Sequence, residues 1–369
     1  MRTLTIGKND AGQRADKFLQ KALYRLPGAL LYRFLREKRI KRNGKRLNGG
    51  DLLAEGDLLT LFIPDEFFAP PDAHDAFLRC TVRPDILYED DNLLLLHKPV
   101  GLLCHEDEQE RVQTLLCAVQ KYLYDQGVYN PQAEQSFAPA LANRIDRNTG
   151  GIVAAAKNAA ALRELNAIFK AHELQKLYLT LVFGRVGRDD EHSAWLRKDA
   201  ERNQVVVSAQ RQPGSKPITT RWRVLEASGA CSCLEVELIT GRTHQIRAHL
   251  AYLGHPLLGD TKYGRNADNK PLGLRHQLLY AYRLRFCFSS PHPTLAYLDG
   301  KTFSLDPESI DFYRRRRDLF ARCDELRRGP APDPAAFEKA GETFSAGYTN
   351  GRRETKSPRP GRGDRPKRR

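Results

Sequence analysis

Apolar positions in the N-terminal stretch recur with helical spacing and then shift to short alternation. Phe18, Leu19, Ala22 and Leu23 stand at i, i+1, i+4 and i+5, which predicts a helix opened by Gly12-Gln13-Arg14-Ala15-Asp16-Lys17. Leu30, Leu31, Phe34 and Leu35 predict a second helix, from about Ala29 to Lys38. Ile40 to Leu47 reads as a hairpin turning at Asn43-Gly44, a dipeptide suited to a two-residue turn, and Leu58 to Ile63 as a closing strand. The polar face of the second helix and the hairpin is basic, with Arg33, Arg36, Lys38, Arg39, Lys41 and Arg42, then Lys45 and Arg46. Residues 1–63 are therefore expected to form a small domain. Residues 64–78, with Pro64, Pro70, Pro71 and several acids, have the composition of a linker.

A larger domain is expected over 79–328. Ile86 to Glu89 and Leu93 to His97 flank Asp90-Asp91-Asn92 as a hairpin, ending at Lys98-Pro99. Leu162, Leu165, Ile168 and Phe169 form the apolar stripe of a helix near Ala159–Ala171. Lys176 to Val182 alternates like a strand, with Lys176, Tyr178 and Thr180 on one face and Leu177, Leu179 and Leu181 on the other. A last helix is expected from about Ile310 to Arg327, carrying the Arg314–Arg317 run. Residues 329–369 are rich in Pro, Gly, Ser and basic side chains. They have almost nothing apolar to bury, so the expectation there is a disordered basic tail.

Charge narrows the function. Among 369 residues, Lys and Arg number 60 against 45 acids, a formal charge of +15, which favours a polyanionic partner. No apolar run approaches the roughly 20 residues needed to cross a bilayer, and Met1 to Asp10 lack a signal peptide's apolar segment, so a cytoplasmic protein without a membrane partner is expected. Seven scattered cysteines do not suggest a disulfide framework. Cys231 and Cys233 share one face of an alternating strand and lie too close in sequence for a usual zinc pair, so they read as packing residues and no metal is expected.

The common signatures of hydrolases, kinases, dinucleotide enzymes and zinc proteases are missing from the sequence. Three other segments carry chemistry. In Asn143-Arg144-Ile145-Asp146-Arg147-Asn148-Thr149-Gly150-Gly151 a carboxylate stands between two arginines, in a loop leading to the strand Ile152–Ala156. Flanking cations favour its charged form. In Lys176-Leu177-Tyr178 the tyrosine lies on the face that can meet a base. Thr240-Gly241-Arg242-Thr243-His244-Gln245-Ile246-Arg247, continuing to Gly254-His255-Pro256-Leu257-Leu258-Gly259-Asp260, is dense in groups able to contact phosphate and base. Arg247 is positioned by its chemistry to pair with a buried carboxylate.

Taken together these segments resemble the RluA family of pseudouridine synthases over about Gly12 to Pro293, and residues 1–63 resemble an S4 RNA-binding domain, including Glu55-Gly56-Asp57 before the last strand. The resemblance implies an α+β fold with a mostly antiparallel mixed sheet. It implies Asp146 as the catalytic carboxylate, Tyr178 stacking on the target base, Arg247 pairing with Asp146, and Arg144 holding the flipped-out state. Arg144, Arg147, Lys176, Arg242, His244 and Gln245, with the basic N-terminal face, are the expected RNA contacts. His97-Lys98-Pro99-Val100-Gly101-Leu102 resembles the family's first motif and Gln277 to Leu284 its last. Three positions depart from the common pattern. Asn143 stands where many members have His, Gly150 where many have Ser, and Tyr280 where His is common. The implied function is cofactor-free isomerisation of uridine to pseudouridine in structured RNA, most of all 23S (large-subunit) ribosomal RNA, by a monomer. The alternatives are the same chemistry on tRNA and a non-catalytic RNA-binding assembly factor.

Overall fold

The computed structural model describes residues 1–68 and 75–328. The expected basic tail and residues 69–74 of the expected linker lie outside them. Residues Met1–Asp324 form one compact unit, in which two sheets have separate cores.

The N-terminal sheet contains β1 (Arg2–Thr5), β2 (Ile40–Arg42), β3 (Lys45–Arg46) and β4 (Leu58–Leu61), in the order β1-β4-β2-β3. Helices α1 (Ala15–Ala22) and α2 (Gly28–Arg36) bury Phe18, Leu19, Leu31, Phe34 and Leu35 against it. Asn43 and Gly44 both take positive φ (51° and 76°), the conformation an Asn-Gly turn adopts at least cost. Helix α2 stops two residues short of the expected end. Lys38 turns left-handed (φ 57°), and the Arg39 N–H reaches back to the Phe34 carbonyl at 3.0 Å, closing the helix. Without a glycine this conformation costs roughly 1–2 kcal/mol.

The larger sheet runs from β5 (Ile86–Glu89) and β6 (Leu93–Lys98) at one edge to β10 (Asp190–Asp199) and β11 (Gln204–Ser208) at the other. Helix α3 (Leu115–Asp125), strands β7 (Ala140–Leu141) and β8 (Gly150–Ala156), helix α4 (Ala159–Ala171) and strand β9 (Leu174–Phe183) follow β6 in the chain. After β11 come β12 (Lys216–Ala227), β13 (Cys231–Leu238), helix α5 (Gln245–Tyr252), β14 (Leu279–Phe286) and β15 (Thr302–Ser304). Among the described residues this sheet has 11 strands in the order β11-β10-β12-β13-β9-β14-β8-β6-β5, with β15 on β14 and β7 on β8. Every pairing is antiparallel except β14 with β8, so the fold is α+β with a mostly antiparallel mixed sheet.

Strand β9 lies in the middle of the sheet. Its alternation is as expected, but both faces are buried. Tyr178 and Val182 face the core that includes α3 and α5, while Leu177, Leu179 and Leu181 face Phe312, Phe320 and Cys323 from the chain's last helical stretch. That stretch is not one helix. It breaks at Arg315 into Asp311–Arg314 and Arg316–Arg328, where Arg316 donates to the Tyr313 carbonyl (2.7 Å) and to Glu226 of β12 (3.0 Å). Cys231 and Cys233 are buried, free packing residues of β13.

Candidate active site

Asp146 sits in the loop of the β7–β8 hairpin, and its neighbours in that loop are tied down almost one by one. The Asn143 amide oxygen accepts from the Ala154 N–H (2.8 Å), the Cys104 thiol donates to the Ile145 carbonyl (3.4 Å), and the Thr149 N–H closes a turn on the Asp146 carbonyl (3.0 Å). The Arg147 carbonyl accepts from the Gly101 N–H (2.9 Å) and from Lys98 (3.0 Å). Lys98 is fully buried, its ammonium also donating to the carbonyls of Pro99 and Leu102, and burial pushes its pKa down to about 8. The first motif thus serves as a tether for the loop that carries the carboxylate.

The two glycines after this loop explain how close β8 comes to β14. Gly151 has φ +121°, and a Cβ there would lie 2.1 Å from the Ala281 carbonyl oxygen. A Cβ at Gly150 would lie 2.3 Å from the Tyr280 ring. That ring's hydroxyl is hydrogen-bonded to His97 Nε2 (2.5 Å), whose Nδ1 is 2.8 Å from Asp85. Gly150 and Tyr280, two of the three departures from the common pattern, therefore fit one another.

Arg247, on α5, links two carboxylates. Its Nη1 donates to Asp146 Oδ2 at 2.8 Å, while Nε and Nη2 make a fork on Asp260 at 2.7 and 2.9 Å. Asp260 is completely buried and also accepts from the N–H groups of Lys262 and Tyr263. Burial works against the Arg247 charge, but hydrogen bonds and charges from Asp260 and Asp146 more than offset it, and its pKa is raised. Burial likewise opposes the Asp260 charge, yet Arg247 and the two backbone donors hold its pKa below the ordinary carboxylate value. Each Arg247 side-chain nitrogen and both Asp260 carboxylate oxygens have a hydrogen-bond partner, as a buried pair requires. The Arg247 guanidinium lies 5.3 Å from the centre of the Tyr263 ring.

A cavity of about 610 Å³ opens beside this pair. Among the described residues Asp146 is the one acid in its wall, and Phe169, Tyr178, Leu238, Ile246 and Leu279 give it an apolar and aromatic side. The Tyr178 side chain is 8% exposed. Burial, then the charge of Asp146, raises its pKa, so the phenol stays protonated at neutral pH. Arg144, Lys176, Arg242 and His244 also line the cavity. Lys176 is mostly buried, which lowers its pKa. His244 takes a left-handed backbone (φ 53°) at the start of α5, with Nδ1 2.9 Å from the Tyr263 hydroxyl and Nε2 3.7 Å from Asp146 Oδ2. Burial lowers its pKa although Asp146 pulls the other way.

The remaining expected contacts divide. Arg144 and Arg147 are exposed beside Asp146. Gln245 is 2% exposed and spends its amide inside the protein: Oε1 accepts from Thr240 (2.8 Å) and the Arg242 N–H (3.1 Å), and Nε2 donates to Thr219 and Thr220. It shapes the loop with these bonds and also lines the cavity. The basic N-terminal residues lie far along the chain from this site. Arg33 and Arg39 share Glu37 at 2.8 and 2.9 Å, Arg42 donates to the Leu52 carbonyl, Lys41 stands over the Phe62 ring, and Arg36 and Lys38 are exposed. Asp260, Lys98 and Phe169 carry parts of the site that motif reading left unassigned. Asp260 stood at the end of a quoted segment, but nothing local told which cation it would meet. Among the described residues no group of three His, Cys, Asp or Glu side chains could hold a metal ion.

Residues 92–252 match the family model described as RNA pseudouridylate synthase. The ribosomal large subunit pseudouridine synthase C of Vibrio cholerae is 32% identical over 77% of this chain and 88% of that protein. An uncharacterised RNA pseudouridine synthase of Mycoplasma pneumoniae is 33% identical over 79% of this chain and 87% of its own length. Among solved structures, human RNA pseudouridylate synthase domain containing 4 aligns with a TM-score of 0.48 at 21% identity, over 63% of this chain and 92% of that one.

Proposed function

The chain belongs to the RNA pseudouridine synthase family of these relatives, and from that premise we propose that it isomerises uridine to pseudouridine in large-subunit ribosomal RNA, with Asp146 as the carboxylate that acts at the sugar. The observation that carries the assignment of the site is the single acid in the cavity wall, bound to a guanidinium that is itself anchored on a buried carboxylate.

The reaction breaks the N1–C1′ bond, turns the base and joins C5 to C1′; C5 loses its hydrogen as a proton and the freed N1 takes one up, so the product is an isomer. It needs no net electron transfer. A uridine in structured RNA first leaves its stack, at a cost of a few kcal/mol. The base enters the cavity and lies on Tyr178, whose protonated phenol and apolar surroundings give it a flat, poorly hydrated surface. Asp146 then meets C1′ and its neighbour C2′, as nucleophile at the first or base at the second. Arg247 holds the carboxylate in one orientation, so its cost of positioning is met by the fold before substrate arrives. Arg144 occupies the space the uridine leaves in the RNA. The N-terminal unit acts as an S4-like RNA-binding domain, presenting Arg36, Lys38 and their neighbours to phosphates.

The expectation is tested by incubating the protein with unmodified large-subunit ribosomal RNA or with bulk tRNA, each labelled with tritium at uridine C5. Release from ribosomal RNA at a discrete site supports the proposal. Release from tRNA alone moves the substrate, and tight RNA binding with no release from either establishes the non-catalytic reading instead.

A further inference from the structure

A second cavity, of about 300 Å³, meets the first at Asp146, and the two share Arg144, Ile145, Asp146, His244 and Arg247. Their chemistry differs. The first has Phe169 and Tyr178 in its wall, whereas among the described residues no Phe, Tyr or Trp lines the second. The second is instead bordered by Lys262, Arg275, His276 and Arg147, with Asp146 as its one acid. Among the described residues neither Lys262 nor Arg275 forms an ion pair, whereas Arg247 in the same wall is paired with Asp146 and Asp260. A cavity whose wall carries Lys262 and Arg275 outside any ion pair, and no Phe, Tyr or Trp among the described residues, suits a phosphate better than a base.

Its position is tied to the catalytic carboxylate. Asp260 Oδ1 accepts from the Lys262 N–H at 2.9 Å and from Arg247, which in turn grips Asp146. Gly259 packs so closely under the following loop that a Cβ would lie 2.0 Å from the His276 carbonyl, which brings the Lys262 and Arg275 segments together. In a nucleotide, C1′ stands between the base and the phosphodiesters. With the base in the aromatic cavity and C1′ at Asp146, a flanking phosphate is directed to the opposite side.

We propose that this second cavity is the subsite for a phosphodiester adjoining the target uridine, held by Lys262 and Arg275. The proposal rests on the isomerase reading above, and it makes the enzyme grip base and backbone from opposite sides of one carboxylate.

The test uses the full chain and a single-site RNA labelled with tritium at C5 of the target. The phosphate on either side is replaced in turn by an uncharged methylphosphonate, and wild type is compared with Lys262→Ala/Arg275→Ala under single-turnover conditions. Wild type should lose about tenfold or more from the neutral linkage at one of the two positions. The double variant should be slower on native RNA by a similar factor and lose little more from that linkage. Lys262→Arg/Arg275→Lys should recover most of the rate, which separates charge from folding. Equal losses from the neutral linkage in wild type and variant, or no loss in wild type at either position, overturn the subsite. Absence of release from native RNA by wild type strikes at the isomerase reading instead.

Discussion

Arg247 and Asp260 show why one residue pair decides the geometry of this site. The guanidinium makes three hydrogen bonds to two carboxylates, and the one to Asp146 lies in the cavity wall. Removing Asp260 leaves a buried cation with its main partner gone, and breaking a buried pair in this way costs about 3–5 kcal/mol. Asp260→Ala should lower the thermal midpoint clearly and slow isomerisation through the misplaced Arg247. Arg247→Met should cost on the order of a hundredfold or more in rate, since an oriented charged group at a reacting centre is worth about that much. Calorimetry and tritium release on the same preparations check both. Asp146, Tyr178 and Arg247 were legible as motif residues, though they stand far apart in sequence. The fork on Asp260 was not, because pairing across a turn depends on the fold of 254–263 and on no local pattern.

At the scale of elements, the β7–β8 hairpin and its contact with β14 set the position of Asp146. Gly150 and Tyr280 are matched in size, and the ring occupies the space a side chain at 150 would need. Gly150→Ser alone should destabilise the hairpin and depress activity, and adding Tyr280→His should restore much of both. Equal damage in single and double variants would show that the ring is not what excludes the serine. A second element-level prediction concerns α5. His249 is fully buried, with Nε2 2.8 Å from His192 and Nδ1 2.9 Å from Thr220. Burial, then the neighbouring His192, lowers its pKa to about 4. The unfolded chain binds this proton near the ordinary histidine value of about 6.5. The stability it contributes is thus complete above about pH 6.5 and falls as the pH drops toward 4. Urea midpoints at pH 7 and 5 should fall further for wild type than for His249→Asn. Helices and strands with strong periodicity, such as α4 and β9, were readable from sequence. The break at Arg315 and the early end of α2 were not, since each depends on a side chain or backbone donor reaching a carbonyl outside the periodic pattern.

At the scale of the molecule, the N-terminal sheet is joined to the larger one by specific polar contacts. Asn9 donates to Glu134 (2.7 Å), Gln13 to Ser136 (2.8 Å), Ser136 to Asp10 (2.6 Å), and Arg163 to the Ala11 carbonyl (3.2 Å). This attachment was invisible to a sequence reading that separated the two at a proline-rich stretch, because the contacts are polar and carry no periodic signal. It holds the basic α2 face in a set relation to the cavity. Arg36→Ala/Lys38→Ala should weaken RNA binding without changing which uridine is modified, and should reduce the salt dependence by about one unit of slope per lost phosphate contact. Filter binding across a salt series reads this directly.

Asp146 is proposed as the group that acts on uridine in this cavity. The most direct measurement is tritium release from C5-labelled ribosomal RNA by wild type and by Asp146→Asn, each first shown to bind RNA and melt alike. Wild type should release tritium, and the variant should release none above background. Equal release by both would contradict it, leaving the isomerisation in place and removing Asp146 from its centre.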